Sequence, residues 1–569
     1  MVLRVYLLIL AFVAWFKAES QISFVNSAQE LGISIACGNT YLGNGISFFD
    51  YDNDGWDDIT IASADGDPIR FLKNINGNFV EQVLNIPMNN WKNKQINWVD
   101  IDNDGDNDLF VTSDSSSNRL YENMGNMIMN DITQSCGMLT DVFYTYGASW
   151  GDYNNDGYLD VFLSIRDFDV PNILYKNNGN NTFTLVNTEA GLLNTGFLSF
   201  CSAFFDYNKD GFQDIYVSND KTYNPNLLYK NNGDGTFTEV GEISGSNVSI
   251  DAMSVTIDDY NYDGWLDIYI TNDIPGNALL KNNGDGTFTN MAQQTQTTFN
   301  SVGWGAVFLD ADNDRDLDLY MSGDHNGSVA DYLSSAFYEN NNDGTFNLNN
   351  DAIPDDFAIS YSNAIGDTDN DGYPEIVVNN INHDNIFLWK NSTPQTNNWL
   401  KIKLEGTQSN KNGIGSFIEI SVNGEKQYRY TLCGEGYLSQ NSATEIFGLG
   451  SHALVDYVKV KWLSGIEDII YDINTNEELY IVEGSTLSLN EPIKNVFKVY
   501  PIPTKNMLNI KGTEVILRLE VINQLGQRVY NDTPHTLKTK VDLSGVSKGI
   551  YVAQIVSPVS SESIQIIKD

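Results

Sequence analysis

DYDNDGWDDITIAS, residues 50–63, sets an acidic turn directly before a β-branched burst. The pattern D-x-[DN]-x-D-G-x-x-[DE] returns at Asp100, Asp152, Asp206, Asp259 and Asp367, and at Asp310 with Arg315 in the glycine place. Copies begin 50 to 57 residues apart, and they run into DLFVTS, DVFLSI, DIYVSN, DIYITN, DLYMSG and EIVVNN. An acidic loop that feeds a strand rather than a helix sets the chain apart from helix-loop-helix calcium proteins.

Outward from each loop the text repeats. A burst such as ISFF or AVFL precedes it, a second ending in asparagine (FLKN, LYEN, LYKN, LLKN, FYEN, LWKN) follows, and a turn such as NNGDGTF leads into a last short strand. Four strands in about fifty residues is the signature of a propeller blade. The seventh repeat lacks its outer strand, and residues 22–27 resemble that strand elsewhere, so the N-terminal segment is expected to complete it and remove an exposed edge. The predicted fold class is all-β: a seven-bladed β-propeller followed by two small β-sandwich-like domains.

The 569 residues include 75 Asp and Glu against 32 Lys and Arg, a formal net charge of −43. That charge repels phosphate backbones and anionic lipid, so no nucleic-acid partner is expected and cations are the natural counter-partners. Residues 1–20 read as a signal peptide, with an apolar run from Val5 to Phe16 too short to span a bilayer, and no transmembrane span is expected elsewhere. Four cysteines, Cys37, Cys136, Cys201 and Cys433, allow three pairings, and the sequence selects none. The four histidines are scattered, which gives little support to a zinc site or a histidine-based triad.

Calcium takes six to eight hard oxygens, and alternate Asp or Asn positions in a tight loop turn their oxygens toward one point. In the first copy the expected ligands are Asp50, Asp52, Asp54, the Trp56 carbonyl and Asp58. The same places give Asp100, Asp102, Asp104, Asp106 and Asp108, then Asp152, Asn154, Asp156, Tyr158 and Asp160. They continue with Asp206, Asn208, Asp210, Phe212 and Asp214, and with Asp259, Asn261, Asp263, Trp265 and Asp267. The last two sets are Asp310, Asp312, Asp314, Asp316 and Asp318, and Asp367, Asp369, Asp371, Tyr373 and Glu375. Of the 75 acidic residues, 28 lie in these seven nine-residue loops, a crowding that repels itself unless cations fill it. Up to seven calcium ions, structural rather than catalytic, are expected.

With their DIYV-type strands the loops resemble the FG-GAP/VCBS repeats of seven-bladed propellers such as integrin α-subunit heads, over residues 21–395. Residues 396–490 resemble the ASPIC/UnbV-type domain at Asn410, Gly413, Gly415, Gly436, Tyr437, Ser439, Gln440, Gly448, Leu449, Gly450, Trp462 and Gly465. Turn geometry alone is the favoured role for its glycines. Residues 495–569 resemble the C-terminal sorting domain of type IX secretion through Tyr500-Pro501-x-Pro503, the Leu525-Gly526-Gln527 turn and Gly549-Ile550-Tyr551, with Ile502 where asparagine is usual. That resemblance implies contact with the type IX machinery, removal of the domain near 490–497, and a secreted or outer-membrane-attached location.

The leading functional reading is a non-enzymatic calcium propeller that binds an extracellular protein or glycan. A polysaccharide-active enzyme of the lyase-like calcium-propeller kind and a purely structural surface component are the alternatives. The ligand face is expected opposite the acidic loops, where Trp91, Tyr144, Tyr146, Phe197, Trp304 and Tyr361 would line a rim or pack as core.

Overall fold

The computed structural model describes residues 21–569 except 39, 65, 89, 275, 330, 383, 487–496, 524–526 and 558–560. The expected signal peptide at 1–20, His383, Leu525 and Gly526, and all but the last residue of the expected processing region lie outside the described residues.

Each acidic loop joins the first two strands of an antiparallel four-strand meander. The first meander is Ile46–Phe49, Asp58–Ile61, Arg70–Ile75 and Asn78–Gln82, paired in sequence order. Its two leading strands, ISFF and DITI, are buried at every position, as continuous β-branched and aromatic runs require, whereas an outer strand such as FVN buries one side chain in three. Six further meanders repeat this order, the third and fourth being joined by pairing between Asp160–Pro171 and Gly196–Phe205.

The seventh meander, Ser360–Gly366, Glu375–Asn380 and Phe387–Asn391, takes its fourth strand from the start of the chain: Phe24–Asn26 pairs antiparallel with Asn391 to Trp389. The leading strands neighbour one another in order, and that of the seventh returns to that of the first. Residues 22–27 therefore stand where the sequence places them.

The ASPIC/UnbV-like stretch folds as two sheets on one apolar core. One holds Glu445–Gly450, Asn398–Glu405 and Glu477–Val482; the other holds Glu425–Tyr430, Phe417–Val422, Leu454–Lys461 and Glu467–Asn474. Leu400, Ile418, Phe447, Val458 and Trp462 fill the space between them. The Asn423-Gly424 hairpin has both residues at positive φ, 53° and 82°, as its sequence demands. This module is not a separate body. It forms one compact unit with the repeats, ending at Ser485.

The described residues of the second unit, Thr486–Asp569, form seven strands in two sheets. Phe497, Leu508, Leu519, Val521, Val541, Ala553 and Ile566 form its core.

Candidate functional site

Every acidic loop has the same internal wiring. The first aspartate accepts hydrogen bonds from the fifth and sixth amides: in the first loop Asp54 and Gly55 donate to Asp50 Oδ1 and Oδ2, both at 3.0 Å. The ninth acid is buried throughout, and in the first six loops the third strand anchors it, as where Asn74 N donates to Asp58 Oδ1 at 2.7 Å; Glu375 of the seventh accepts from Thr368 N instead. The sixth residue is left-handed in all seven copies, including Arg315 at φ 86°. Its guanidinium pairs with Glu425 of the module at 2.7 Å.

The residues fit a hard cation. Asp50, Asp52 and Asp58 each offer an oxygen within 4.8 Å of the others, and Asp100/Asp102/Asp108, Asp310/Asp312/Asp314 and Asp367/Asp369/Asp371 do the same. Ligands about 2.3–2.6 Å from a shared ion stand at most about 4.6–5.2 Å apart, so that spacing is compatible with one ion. Asp52 Oδ1, Asp369 Oδ1 and Glu375 Oε1 are buried with no hydrogen-bond donor. Burial pushes the Asp58 carboxyl up to about 9 and that of Asp108 to about 8, and it holds Asp160, Asp214, Asp267, Asp318 and Glu375 well above the carboxylate range. A buried carboxylate takes up a proton or pairs with a cation, and these grouped oxygens have the chemistry to accept either. Lysines from the third strand lean in as counter-charges, Lys73 on Asp54 at 2.9 Å and Lys390 on Asp369 at 2.7 Å. The second and sixth repeats have Glu122 and Glu339 in that place.

Sequence reasoning missed the fourth loop position. It is left-handed in all seven loops, at Asn53, Asn103, Asn155, Lys209, Tyr262, Asn313 and Asn370. Asparagine tolerates that conformation, and here its amide reaches across to the next loop. Asn53 donates to the Gly105 carbonyl, Asn103 to Gly157, Asn155 to Gly211, Asn313 to Gly372 and Asn370 back to Gly55, at 2.8–3.0 Å. At the fourth loop Lys209 instead lays its ammonium over Trp265 of the fifth, 4.4 Å from the ring centroid. In five repeats the asparagine that closes the third strand ties neighbouring repeats in a similar way, as where Asn231 Nδ2 donates to the Tyr153 carbonyl at 2.7 Å.

The module sits on all seven loops. Lys403 pairs with Asp50 at 3.0 Å and Lys401 with Asp367 at 3.1 Å, while Trp399 lies flat against Gly372. Asp100 N donates to Asn412 Oδ1, Lys411 N donates to Asn103 Oδ1, and the Gln408 carbonyl abuts Gly157. Lys209 of the fourth loop faces Phe417 and Tyr428, Gly264 of the fifth packs on Tyr428, and Gly450 N donates to the Asn313 carbonyl at 2.8 Å. Gly448 has no positive φ; a Cβ there would stand 2.0 Å from the Asp310 carboxylate. Close approach, not turn geometry, accounts for that glycine; Gly434 meets both demands, with φ 84° and a Cβ that would lie 2.1 Å from the Ala148 carbonyl.

From the module, residues 433–440 enter the middle of the array. Ser439–Gln440 pair in parallel with Ile46 and Ser47, and Gln440 clasps the Trp98 backbone, accepting from its N–H at 2.8 Å and donating to its carbonyl at 2.7 Å. Trp150 N donates to the Cys433 carbonyl, and Gly436 bridges Val255. Tyr437 is fully buried against Phe200, Trp304 and Tyr361, and its hydroxyl donates to the Leu42 carbonyl at 2.8 Å. Three of the six residues proposed for a ligand rim, Tyr146, Trp304 and Tyr361, thus belong to the core. Tyr144 is exposed, and Trp91 is half-buried with Arg119 4.3 Å over its ring. The four cysteines are buried free thiols, with Cys37 and Cys201 pushed up to about 12 by burial, so none of the three pairings forms.

Family models match this layout. The FG-GAP-like repeat matches residues 50–111, 100–163, 206–270 and 259–321, "ASPIC and UnbV" matches 406–488, and the secretion system C-terminal sorting domain matches 498–569. The chain therefore carries FG-GAP repeats, an ASPIC/UnbV domain and a type IX sorting domain, and that sorting domain indicates a secreted or cell-surface location. It is 25% identical over 268 residues to cartilage acidic protein 1 of Xenopus tropicalis, which covers 44% of this chain and 40% of that protein. Among solved structures it is similar to the BP39L lectin of Burkholderia pseudomallei, at 10% identity and TM-score 0.42, over 62% of this chain and 97% of the lectin. It is also similar to PorZ, a surface component of the type IX secretion system of Porphyromonas gingivalis, at 11% identity and TM-score 0.21, over 92% and 81% of the two chains. No helix among the described residues is long and apolar enough to cross a membrane.

Proposed function

We propose that this protein is an exported calcium-loaded propeller of seven blades that binds an extracellular protein or glycan without catalysis. The carrying observation is the capped ring. Seven acidic loops, five of them linked to the next by asparagine and all of them covered by the chain's own module, suit the holding of structural ions and leave the opposite face for a partner. Connections from second to third strand and from repeat to repeat lie on that face, and they display Tyr41, Tyr144, Phe357 and Tyr223, the last stacked on Phe168 of the strand Asp160–Pro171, all exposed. Exposed aromatic rings suit stacking on sugar faces or burial as protein hot spots.

A glycan array probed with the calcium-loaded protein tests the reading, with Tyr144→Ala and Tyr223→Ala as site variants. Binding that both variants leave intact places the site elsewhere. New unsaturated or reducing ends on incubated polysaccharides would replace the binding reading with an enzymatic one.

A further inference from the structure

The ring of loop-to-loop asparagine bonds has two gaps. Lys209 and Tyr262 stand in the fourth and fifth loops where the other five have asparagine. The module strand Glu425–Tyr430 runs past both gaps and on to the sixth loop. Tyr428 joins Trp265 around the Lys209 ammonium, Arg429 lies 6.0 Å over the Tyr262 ring, and Glu425 holds Arg315. The module thus supplies contacts at the two junctions that lack the loop-to-loop asparagine bond, while Lys401, Lys403, Asn412 and Gly450 meet the remaining part of the ring.

We propose that the ASPIC/UnbV module is a clasp fastened by calcium: filled loops hold the turns on which it sits, and emptying them frees the module and withdraws residues 433–440 from the centre of the array. The inference rests on the calcium reading above. Its sign follows from geometry. The module grips the loops through backbone groups and side-chain amides whose positions depend on the turn: the Asn313 carbonyl, the Asn103 amide oxygen and the flat faces of Gly157 and Gly372. An unfilled loop relieves its crowded acids by opening, and those grips go with it. The module's cations act in the opposite sense, since an ion weakens the pull on Lys401 and Lys403 at the seventh and first loops and on Arg429 and Lys461 beside Asp310 and Asp206, but of these only the two lysines at the seventh and first loops pair directly with a loop acid.

The test is hydrogen exchange on the full-length protein with calcium and with excess chelator, with calcium content measured by atomic emission in the same samples. We expect amides of 433–440, Lys411 and Gly450 to exchange at least about tenfold faster without calcium, while Phe417–Val422 and Leu454–Lys461 inside the module stay protected. Loss of calcium and faster exchange at Asp54 and Gly55, with 433–440 unchanged, overturns the clasp and leaves the calcium reading standing. Finding no bound calcium overturns both. Coupling is reciprocal, so Gln440→Ala, which touches no loop, should weaken calcium binding by about threefold or more in calorimetry. If that variant does not fold, Tyr437→Phe gives the same reading. Unchanged affinity in a variant whose 433–440 segment exchanges faster also overturns the proposal.

Discussion

Tyr437→Ala should remove the largest side chain that the module places inside the array. The ring is fully buried, 4.9 Å from the Trp304 ring and 5.7 Å from Phe200. Truncating a buried aromatic to alanine costs about 3–5 kcal/mol. Loss of the hydroxyl strands the Leu42 carbonyl, which adds about 1–3 kcal/mol. Tyr437→Phe keeps the ring and should cost only that second amount. Melting entropy scales at about 2.1 cal/mol/K per residue, so a unit of this size melts with an entropy of about 1 kcal/mol/K and loses roughly 1 °C for each kcal/mol. Calorimetry should therefore find the calcium-loaded transition of the first unit lowered by about 4–8 °C in Tyr437→Ala and by about 1–3 °C in Tyr437→Phe. An alanine variant that melts with the parent, or a phenylalanine variant as unstable as the alanine one, would refute the view that this ring anchors the module.

Chelation should lower the melting temperature at neutral pH, because sites of roughly 0.1–1 mM dissociation constant together contribute several kcal/mol at millimolar calcium; an unchanged transition counts against structural calcium. The chelated protein should also lose stability as pH rises. Burial raises Asp58 to about 9 and Asp108 to about 8, so the native state holds protons that the unfolded chain has released, and stabilisation present at low pH fades as pH climbs through 8 to 9. A melting temperature that increases with pH contradicts this sign. Arg315→Gly should relieve about 1 kcal/mol of left-handed strain at φ 86° and tighten calcium at the sixth loop, read by calorimetry; no gain means the Glu425 pair offsets the strain. Mass spectrometry of the exported protein should find the sorting domain removed near residues 490–497, and a mature form ending at Asp569 speaks against that.

The repeat was legible because each loop carries its ligands, its turn and the start of its strand within nine consecutive residues. The closing strand at 22–27 was legible for a similar reason, since a missing outer strand at one end matches a spare one at the other. The capping of the loops was not. Gly448, Gly434 and Lys401 act on residues far away in sequence, and in the text a glycine needed for close approach looks like a glycine needed for a turn. Trp304 and Tyr361 were ambiguous because both a rim and a core ask for aromatics after a variable connection; Tyr437, from another domain, decides the matter by filling the space between them. The linking role of Asn53 and its counterparts was hidden because asparagine fits a left-handed turn on its own account.

The strand Phe24–Asn26 has a consequence for the order of events in synthesis. Its partner Phe387–Asn391 is made more than 360 residues later, so every partial chain has an unfinished seventh sheet and an unpaired edge waiting at its start. Bringing such distant segments together costs about 5 kcal/mol of loop-closure entropy, which the six intervening meanders lower by folding first and carrying the two ends toward each other. The last contact to form is then the one that seals the array, and any interruption of the chain before Asn391 leaves a sticky edge rather than a smaller finished protein.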